Sequence, residues 1–126
     1  MSFIEFQNVT KVYKSGQTEC RAADNVSFSV EKGEFCVIVG SSGAGKTTIL
    51  NMLGGMDSVT SGVITVDGSV VSGFDRKQLT AFRRYDVGFV FQFYNLVQNL
   101  TAAENVELAS QICKNPKNAV KTLELV

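Results

Sequence analysis

The sequence predicts an α/β fold in which an antiparallel β layer precedes a strand, a glycine-rich loop and a helix. The loop, residues 40–47, matches the phosphate-binding pattern G-x-x-x-x-G-K-[ST] at every fixed position. Residues 35–39 before it are continuously apolar, as in a buried parallel strand, and residues 48–53 after it have the pattern of a helix. Farther upstream, residues 26–30 alternate apolar and polar side chains, which is typical of a half-buried strand.

The N-terminal β layer is predicted from two segments. Residues 3–13 show a broken alternation of apolar side chains, and residues 26–30 show a regular one. Polar stretches at residues 14–19 and 31–34 have the composition of turns. We therefore expect two antiparallel strands joined by the first of these turns, with the second leading into the strand before the phosphate loop.

After the first helix, Asp67 and Gly68 lie between two β-rich runs and predict a hairpin turn. Asp75 is predicted as the N-cap of a helix ending at Tyr85, with Leu79 and Phe82 on its inner face. The remaining predicted elements are an apolar strand at residues 87–91, a helix beginning after a Thr101-x-x-Glu104 capping box, and a last helix after Asn115-Pro116.

The loop composition explains how it binds phosphate. Gly40, Gly43 and Gly45 permit positive φ and close approach, so that successive backbone N–H groups can turn toward an anion. The N-terminus of the following helix adds partial positive charge. Lys46 would place its ammonium on the β- and γ-phosphates, and the Thr47 hydroxyl would ligate Mg²⁺. The predicted phosphate-binding residues are Gly40, Ser41, Ser42, Gly43, Ala44, Gly45, Lys46, Thr47 and Thr48.

Composition limits the remaining possibilities. The chain has 126 residues, 44% of them hydrophobic, which is enough for one domain with a core. Because 12 Lys and Arg residues balance 12 Asp and Glu residues, no overall charge favours nucleic acid, and no nucleic-acid partner is expected. Cys20, Cys36 and Cys113 are widely spaced, so we expect reduced thiols. With no membrane-length apolar run and no signal-peptide pattern, we expect a cytoplasmic chain.

The motifs, taken in order, resemble those of the ATP-binding-cassette (ABC) ATPases, the motor subunits of ABC transporters. Tyr13 stands where that family has the aromatic residue that stacks on adenine. The phosphate loop follows, and then the Asp67-Gly68 hairpin. Gln92 comes after the second apolar stretch, in the position of the family's Q-loop glutamine. Residues 90–106 are similar to the subgroup that drives lipoprotein release, macrolide export and antimicrobial-peptide export.

The resemblance implies that ATP and Mg²⁺ are the cofactors. Lys46 and Gln92 would be catalytic, Thr47 and Gln92 would ligate the metal, and Tyr13 would hold adenine. A half-buried strand aromatic remains the alternative for Tyr13, and a solvated loop residue is the alternative for Gln92. Asp67 resembles the end of a magnesium-binding strand of this superfamily, but Gly68 replaces the catalytic Glu, so we assign Asp67 to the turn.

The implied fold is a P-loop NTPase of the ABC ATPase type. Residues 1–126 would form the N-terminal portion of a single ATP-binding domain: the β layer, the phosphate loop, the Q-loop and the start of the helical subdomain. The family's signature Leu-Ser-Gly-Gly-Gln, an Asp-Glu pair (Walker B and catalytic base) and any His are absent. Since residues 122–126 also show no helix stop signal, we expect a fragment truncated before the second half of the core, with little or no ATPase activity alone.

For the intact parent, the resemblance implies hydrolysis of ATP to ADP and phosphate by a homodimer that closes around two nucleotides. The parent would act at the cytoplasmic face of the cell membrane, with residues 93–96 near a membrane permease. In the fragment, unpaired edges at residues 35–39 and 89–91 are expected to expose apolar area. Two alternatives remain open: a non-transport ABC protein of DNA repair or translation, and a nucleotide-binding module that never hydrolyses ATP.

Overall fold

The computed structural model describes residues 1–126, which divide into two compact units, Met1–Phe82 and Arg83–Val126. The sheet belongs to the first unit, and the last two helices belong to the second. The elements in chain order are β1 (Ile4–Ser15), β2 (Thr18–Val30), α1 (Lys46–Leu53), β3 (Ser61–Val66), β4 (Ser69–Val70), a 3₁₀ turn (Val71–Gly73), α2 (Arg76–Tyr85), α3 (Ala102–Ser110) and α4 (Ala119–Glu124).

The predicted antiparallel β layer is confirmed as a four-stranded sheet of order β2-β1-β3-β4. Strand β1 pairs with β2 on one side and with β3 on the other, both antiparallel. Ile4 lies opposite Val30 of β2 and opposite Val66 of β3, so the N-terminal end of β1 is held on both edges. The broken alternation in the sequence corresponds to bulges in β1, where Asn8 adopts a φ of 49°.

The β3–β4 hairpin is confirmed, and Asp67 and Gly68 both lie in its turn. Their φ angles are 46° and 78°, so both central residues are left-handed, as a two-residue primed turn requires. Asp and Gly tolerate this conformation better than other residues, which explains the position of the turn. The structure therefore agrees with assigning Asp67 to a turn.

The core of the first unit lies between the sheet and the helices packed near it. Phe6 stacks on Phe28 with ring centroids 4.5 Å apart. Gly55, just after α1, leaves space for α2, because an added Cβ would lie 3.1 Å from Leu79 and 3.2 Å from Phe82. The buried apolar side chains are Phe6, Val9, Ala23, Val30, Met52, Ile64, Val71 and Phe82.

The predicted helix caps are present. The Asp75 carboxylate accepts from the Gln78 N–H at 2.8 Å, while the Gln78 side chain accepts from the Asp75 N–H at 2.9 Å. Thr101 and Glu104 form the same reciprocal pair at the start of α3. Each pair satisfies two N–H groups that a helix N-terminus leaves without a partner.

Two predicted strands are wrong. Residues 35–39 and 87–91 contain no strand, and Phe35 and Val90 are 91% and 96% exposed. A buried parallel strand needs neighbouring strands on its edges and cover on its faces, and no strand of this chain pairs with either segment. The expectation that both segments expose apolar area is confirmed.

The second unit is organised by polar side chains as well as by its two helices. The Asn105 side chain bonds the Val97 backbone in both directions, accepting at 2.8 Å and donating at 3.1 Å. Arg84 donates to the Ile112 carbonyl at 2.7 Å, and the Arg84 and Lys114 cations lie over the Tyr85 ring. No helix of the structure is both long and apolar enough to cross a lipid bilayer.

We predict that Ile64→Ala lowers the free energy of unfolding by about 2–5 kcal/mol, because Ile64 is fully buried in the centre of the sheet. The matched control is Val63→Ala on the opposite face of β3, which is partly exposed and should cost roughly 1 kcal/mol or less. Urea unfolding followed by circular dichroism measures both. Equal losses would contradict the burial of one face of β3.

Candidate functional site

The phosphate loop leads directly into α1, but the strand predicted before the loop is absent. Lys46 is the first residue of the helix, and Gly45 is its N-cap in the left-handed conformation, with φ of 91°. Gly43 also has positive φ, at 79°, whereas Gly40 does not, so positive φ is wrong for Gly40. At Gly40 the requirement is space, since an added Cβ would lie 3.3 Å from the Ala44 Cβ.

Gly45 seats the loop against the sheet. A Cβ added at Gly45 would lie 2.1 Å from the Ala22 carbonyl oxygen of β2, which is far inside van der Waals contact. No side chain other than hydrogen fits between the loop and this strand. The position of the helix N-terminus relative to the β layer therefore depends on glycine at this residue.

The loop offers donors to an anion. The N-terminus of α1 has no side-chain cap, and its first turn carries no acidic residue, so its partial positive charge is not neutralised by the helix itself. The Lys46 ammonium donates to the Gly40 and Ser41 carbonyls at 2.7 and 2.6 Å. Its charge is thus held over the loop without an opposing carboxylate. Such a site favours a phosphate group.

The side chains around the loop are accessible. Ser41, Ser42, Gly43, Ala44 and Thr47 are exposed, and Lys46 and Thr48 are half-buried. The Thr47 hydroxyl is an oxygen ligand of the type that Mg²⁺ prefers. No group of three or more His, Cys, Asp or Glu side chains is placed to hold a metal ion.

The fold brings Tyr13 to the phosphate-loop helix. Tyr13 lies near the end of β1 and is 42% exposed, and its hydroxyl donates a hydrogen bond to the Asp57 carboxylate. This bond and burial raise the pKa of Tyr13, and a hydrogen bond from the Thr48 side chain partly opposes them. Thr48 stands in the first turn of α1, so the hydroxyl of this partly exposed aromatic side chain lies near the start of that helix.

Lys11 and Asp57 are the site residues that sequence reasoning missed. Lys11 is the one buried charged side chain, and its ammonium donates to the Asp57 carboxylate at 2.8 Å and to the Ser58 carbonyl at 2.6 Å. Lys11 faces the core from β1, at a position where the alternation pattern leads one to expect an apolar residue. Nothing in the sequence pairs it with Asp57, 46 residues farther along the chain.

The Asp57 carboxylate is held in its ionised form. Burial would raise the pKa of Asp57, but hydrogen bonds from Lys11, Tyr13 and the Ser58 N–H together outweigh burial and lower it. A lowered carboxyl pKa means that the charged form is the one the folded structure stabilises.

Gln92 belongs to the second unit. It is exposed and lies outside the helices and strands, between α2 and α3. Phe93, Tyr94 and Leu96, which follow it, are also exposed. Because the phosphate loop belongs to the first unit, the role of Gln92 at the nucleotide stays a prediction.

Comparison with known proteins bears on this site. The family described as "ABC transporter" matches residues 23–126. The chain is 50% identical over 105 residues to the macrolide export ATP-binding/permease protein MacB of Hyphomonas neptunium, covering 83% of this chain and 16% of that protein. It is 40% identical over 119 residues to the bacitracin export ATP-binding protein BceA of Halalkalibacterium halodurans, covering 94% and 47%.

A solved structure shares the fold. The ATP-binding cassette MJ0796, a dimer in a post-hydrolysis state bound to ADP and Pi, superposes with a TM-score of 0.86 at 39% identity. The match covers 96% of this chain and 54% of that one, so the chain spans about half the length of its solved relative. The predicted fold class, an α/β P-loop NTPase of this type with an N-terminal antiparallel β layer, is confirmed.

We predict that Gly45→Ala destabilises the chain by about 1–3 kcal/mol more than Gly43→Ala. Both residues have positive φ, but only the Cβ at Gly45 meets the Ala22 carbonyl, while the Cβ at Gly43 meets open space. The two unfolding free energies from urea titration measure the difference. Similar losses in the two variants would show that the loop is not seated on β2.

We also predict that the stability contributed by Asp57 depends on pH. Because its folded pKa is lowered, the contribution is complete above the unfolded value of about 4 and is lost as the pH falls through the folded pKa. Asp57→Asn should therefore be less stable than the wild type near neutral pH, and the difference should shrink in acid. Urea midpoints across the acid range measure it.

The control for the pH series is Asp24→Asn, which removes the exposed Arg21–Asp24 pair. An exposed pair contributes about 0–1 kcal/mol, so this variant should stay close to the wild type at every pH. A stability difference for Asp57→Asn that remains constant from neutral to acid pH would contradict the role assigned to the carboxylate.

Proposed function

We propose, from the premise that this chain belongs to the ABC transporter family, that its phosphate loop binds the triphosphate of ATP as part of an export ATPase. The membership agrees with the macrolide and antimicrobial-peptide export subgroup indicated by the sequence. The main support is the position of Lys46, whose ammonium is hydrogen-bonded to an accessible loop at an uncapped helix N-terminus.

The donors of the loop suit phosphate oxygens. Lys46 already directs two hydrogen bonds at carbonyl oxygens, and a phosphate would offer charged acceptors in their place. The backbone N–H groups at the start of α1 have no side-chain acceptor within the chain. Binding of an anion therefore supplies partners to groups that the fold leaves available.

Mg²⁺ is proposed as the companion ion. The Thr47 hydroxyl is exposed at the loop, and Gln92 has an amide oxygen, so both fit a hard cation that keeps several waters and phosphate oxygens as ligands. When bound, the ion would neutralise part of the phosphate charge. We propose Lys46 and Gln92 as the residues of this chain that act on the γ-phosphate.

Tyr13 is proposed as the adenine-binding residue. Its side chain is partly exposed, and its hydroxyl lies near Thr48 at the start of α1, in the same unit as the phosphate loop. A purine ring has a π-face that an aromatic side chain can cover without reading its hydrogen-bonding groups. This geometry favours the stacking role over that of a strand aromatic used only for packing.

Steady hydrolysis is proposed for the whole protein and not for these residues alone. The chain contains no Leu-Ser-Gly-Gly-Gln, no Asp-Glu pair and no His, which the family uses to complete catalysis. We propose that the whole protein couples hydrolysis of ATP to export, as a pair of ATPase subunits attached to a membrane permease on the cytoplasmic face. The MJ0796 cassette was solved as a dimer, which supports the pairing.

The exposed aromatic segment after Gln92 is proposed to face the permease. Phe93, Tyr94 and Leu96 are 75%, 91% and 64% exposed, a high exposure for three large apolar side chains so close in sequence. Exposed apolar patches of this kind mark protein–protein contacts. The export names of the relatives support a permease as the partner.

The test is calorimetric titration of Mg-ATP into this chain and into Lys46→Ala. Loss of a hydrogen-bonding ammonium at a phosphate costs about 1.5–3 kcal/mol, so the affinity should fall about ten- to a hundredfold. Lys77→Ala, an exposed lysine on α2, is the matched control and should bind Mg-ATP like the wild type. Equal affinities for wild type and Lys46→Ala would overturn the proposal.

A further inference from the structure

Lys11 forms an unusually complete set of hydrogen bonds for a side chain that the ATP-binding motifs do not include. Its ammonium has three acceptors: the Asp57 carboxylate at 2.8 Å, the Ser58 carbonyl at 2.6 Å and the Ser58 hydroxyl at 3.4 Å. An ammonium has three N–H donors, so every donor has an acceptor. A buried charge held this completely has a fixed position.

Asp57 is fixed in turn. Its Oδ1 accepts from Lys11 and, at 2.8 Å, from the Ser58 N–H, so the carboxylate is tied to β1 and to its own backbone. Its other oxygen, Oδ2, accepts from the Tyr13 hydroxyl. The Lys11 ammonium also lies over the Tyr13 ring, 5.0 Å from the ring centroid. Both the hydroxyl and one side of the ring are therefore held by this pair.

The location of Asp57 connects this set of contacts to the phosphate-loop helix. Asp57 lies a few residues after α1, and its N–H donates to the carbonyl of Asn51 within that helix at 3.2 Å. Tyr13 comes from β1, near its pairing with Cys20 of β2. The carboxylate therefore joins the end of the phosphate-loop helix to the aromatic ring on the sheet.

We propose that Asp57, held by Lys11, is a positioning residue that orients the Tyr13 ring for the nucleotide base. The inference rests on the proposed adenine-binding role of Tyr13. A free Tyr side chain at the end of a strand loses rotamer freedom when a base stacks on it. A Tyr ring that is already held by a hydrogen bond to Asp57, here called the anchor, has lost this freedom before the base binds. The anchor therefore favours binding of the base, although Asp57 itself does not contact the nucleotide.

The protonation states support the anchor. The hydrogen bond to Asp57 and burial raise the pKa of Tyr13, so its hydroxyl remains a donor, while the lowered pKa of Asp57 keeps the carboxylate an acceptor. The charged or titratable groups near Tyr13 are Lys11, Asp57 and Cys20 of the paired strand β2, with the neutral Ser58 and Thr48 beside them.

The first experiment replaces Tyr13 with Phe, which keeps the ring and removes only the hydroxyl that Asp57 accepts. We compare the affinities for Mg-ATP and for Mg-tripolyphosphate, which has the phosphates but no base, by calorimetry on the full chain. Immobilising one such side chain costs about 0.5–1.5 kcal/mol, so we expect Mg-ATP to bind about two- to tenfold more weakly, with Mg-tripolyphosphate unchanged. If Tyr13→Phe binds both ligands like the wild type, the anchor has no role.

Tyr13→Ala separates this inference from the proposal on which it depends. If Tyr13→Ala lowers Mg-ATP affinity relative to Mg-tripolyphosphate while Tyr13→Phe does not, the ring binds the base but Asp57 does not position it. If Tyr13→Ala leaves the ratio of the two affinities unchanged, the adenine-binding role itself fails. The two failures therefore give different results.

Asp57→Ala tests the acceptor itself, with Tyr13→Phe as its reference background. This variant leaves the Lys11 charge without its carboxylate partner and lowers stability. We therefore use the ratio of the Mg-ATP and Mg-tripolyphosphate affinities, in which a reduced folded fraction cancels. Asp57→Ala should lower the Mg-ATP to Mg-tripolyphosphate ratio in the wild type and add nothing in Tyr13→Phe. The same effect in both backgrounds, or none in either, would overturn the inference.

Discussion

The site in this protein depends on the pairing of β1 with strands on both of its edges. Phe6 pairs with Phe28 of β2 and with Ile64 of β3, and it is almost fully buried. The same strand continues into Lys11 and Tyr13, whose side chains reach residues that follow α1. The position of β1 therefore determines where the aromatic ring lies. Movement of this strand would displace the Lys11–Asp57 contact as well as the core.

The phosphate loop is positioned by a second, purely steric constraint. Gly45 approaches the backbone of β2 so closely that a methyl group would overlap the Ala22 carbonyl. β2 is paired directly to β1, so the same sheet positions both the loop and the Tyr13 ring. The polar contact through Asp57 and the close approach at Gly45 thus fix the two ends of α1. A short helix therefore has an uncapped N-terminus at one end and a contact to an aromatic side chain at the other.

Several apolar segments of the chain remain exposed, and they do not have the same explanation. Phe35, Val37 and Val39 belong to an apolar run that no strand pairs with. Phe93, Tyr94 and Leu96 lie in a segment outside the helices and strands, between α2 and α3. The first run has the composition of a sheet interior, whereas the second is rich in aromatic residues, as protein interfaces are. The chain spans 54% of the solved cassette that it resembles in fold.

Local features of this protein were determined by the sequence alone. The phosphate loop, the Asp67-Gly68 turn and the caps at Asp75 and Thr101 each depend on residues within a few positions of one another, so their patterns can be recognised directly. The tertiary structure decided the rest. Strand pairing requires a partner, which residues 35–39 and 87–91 lack. Their local apolar pattern predicts strands, and only the resemblance to a larger fold led us to expect unpaired edges there. Likewise, Lys11 and Asp57 are separated by 46 residues, so only the folded chain brings their charges together beside Tyr13.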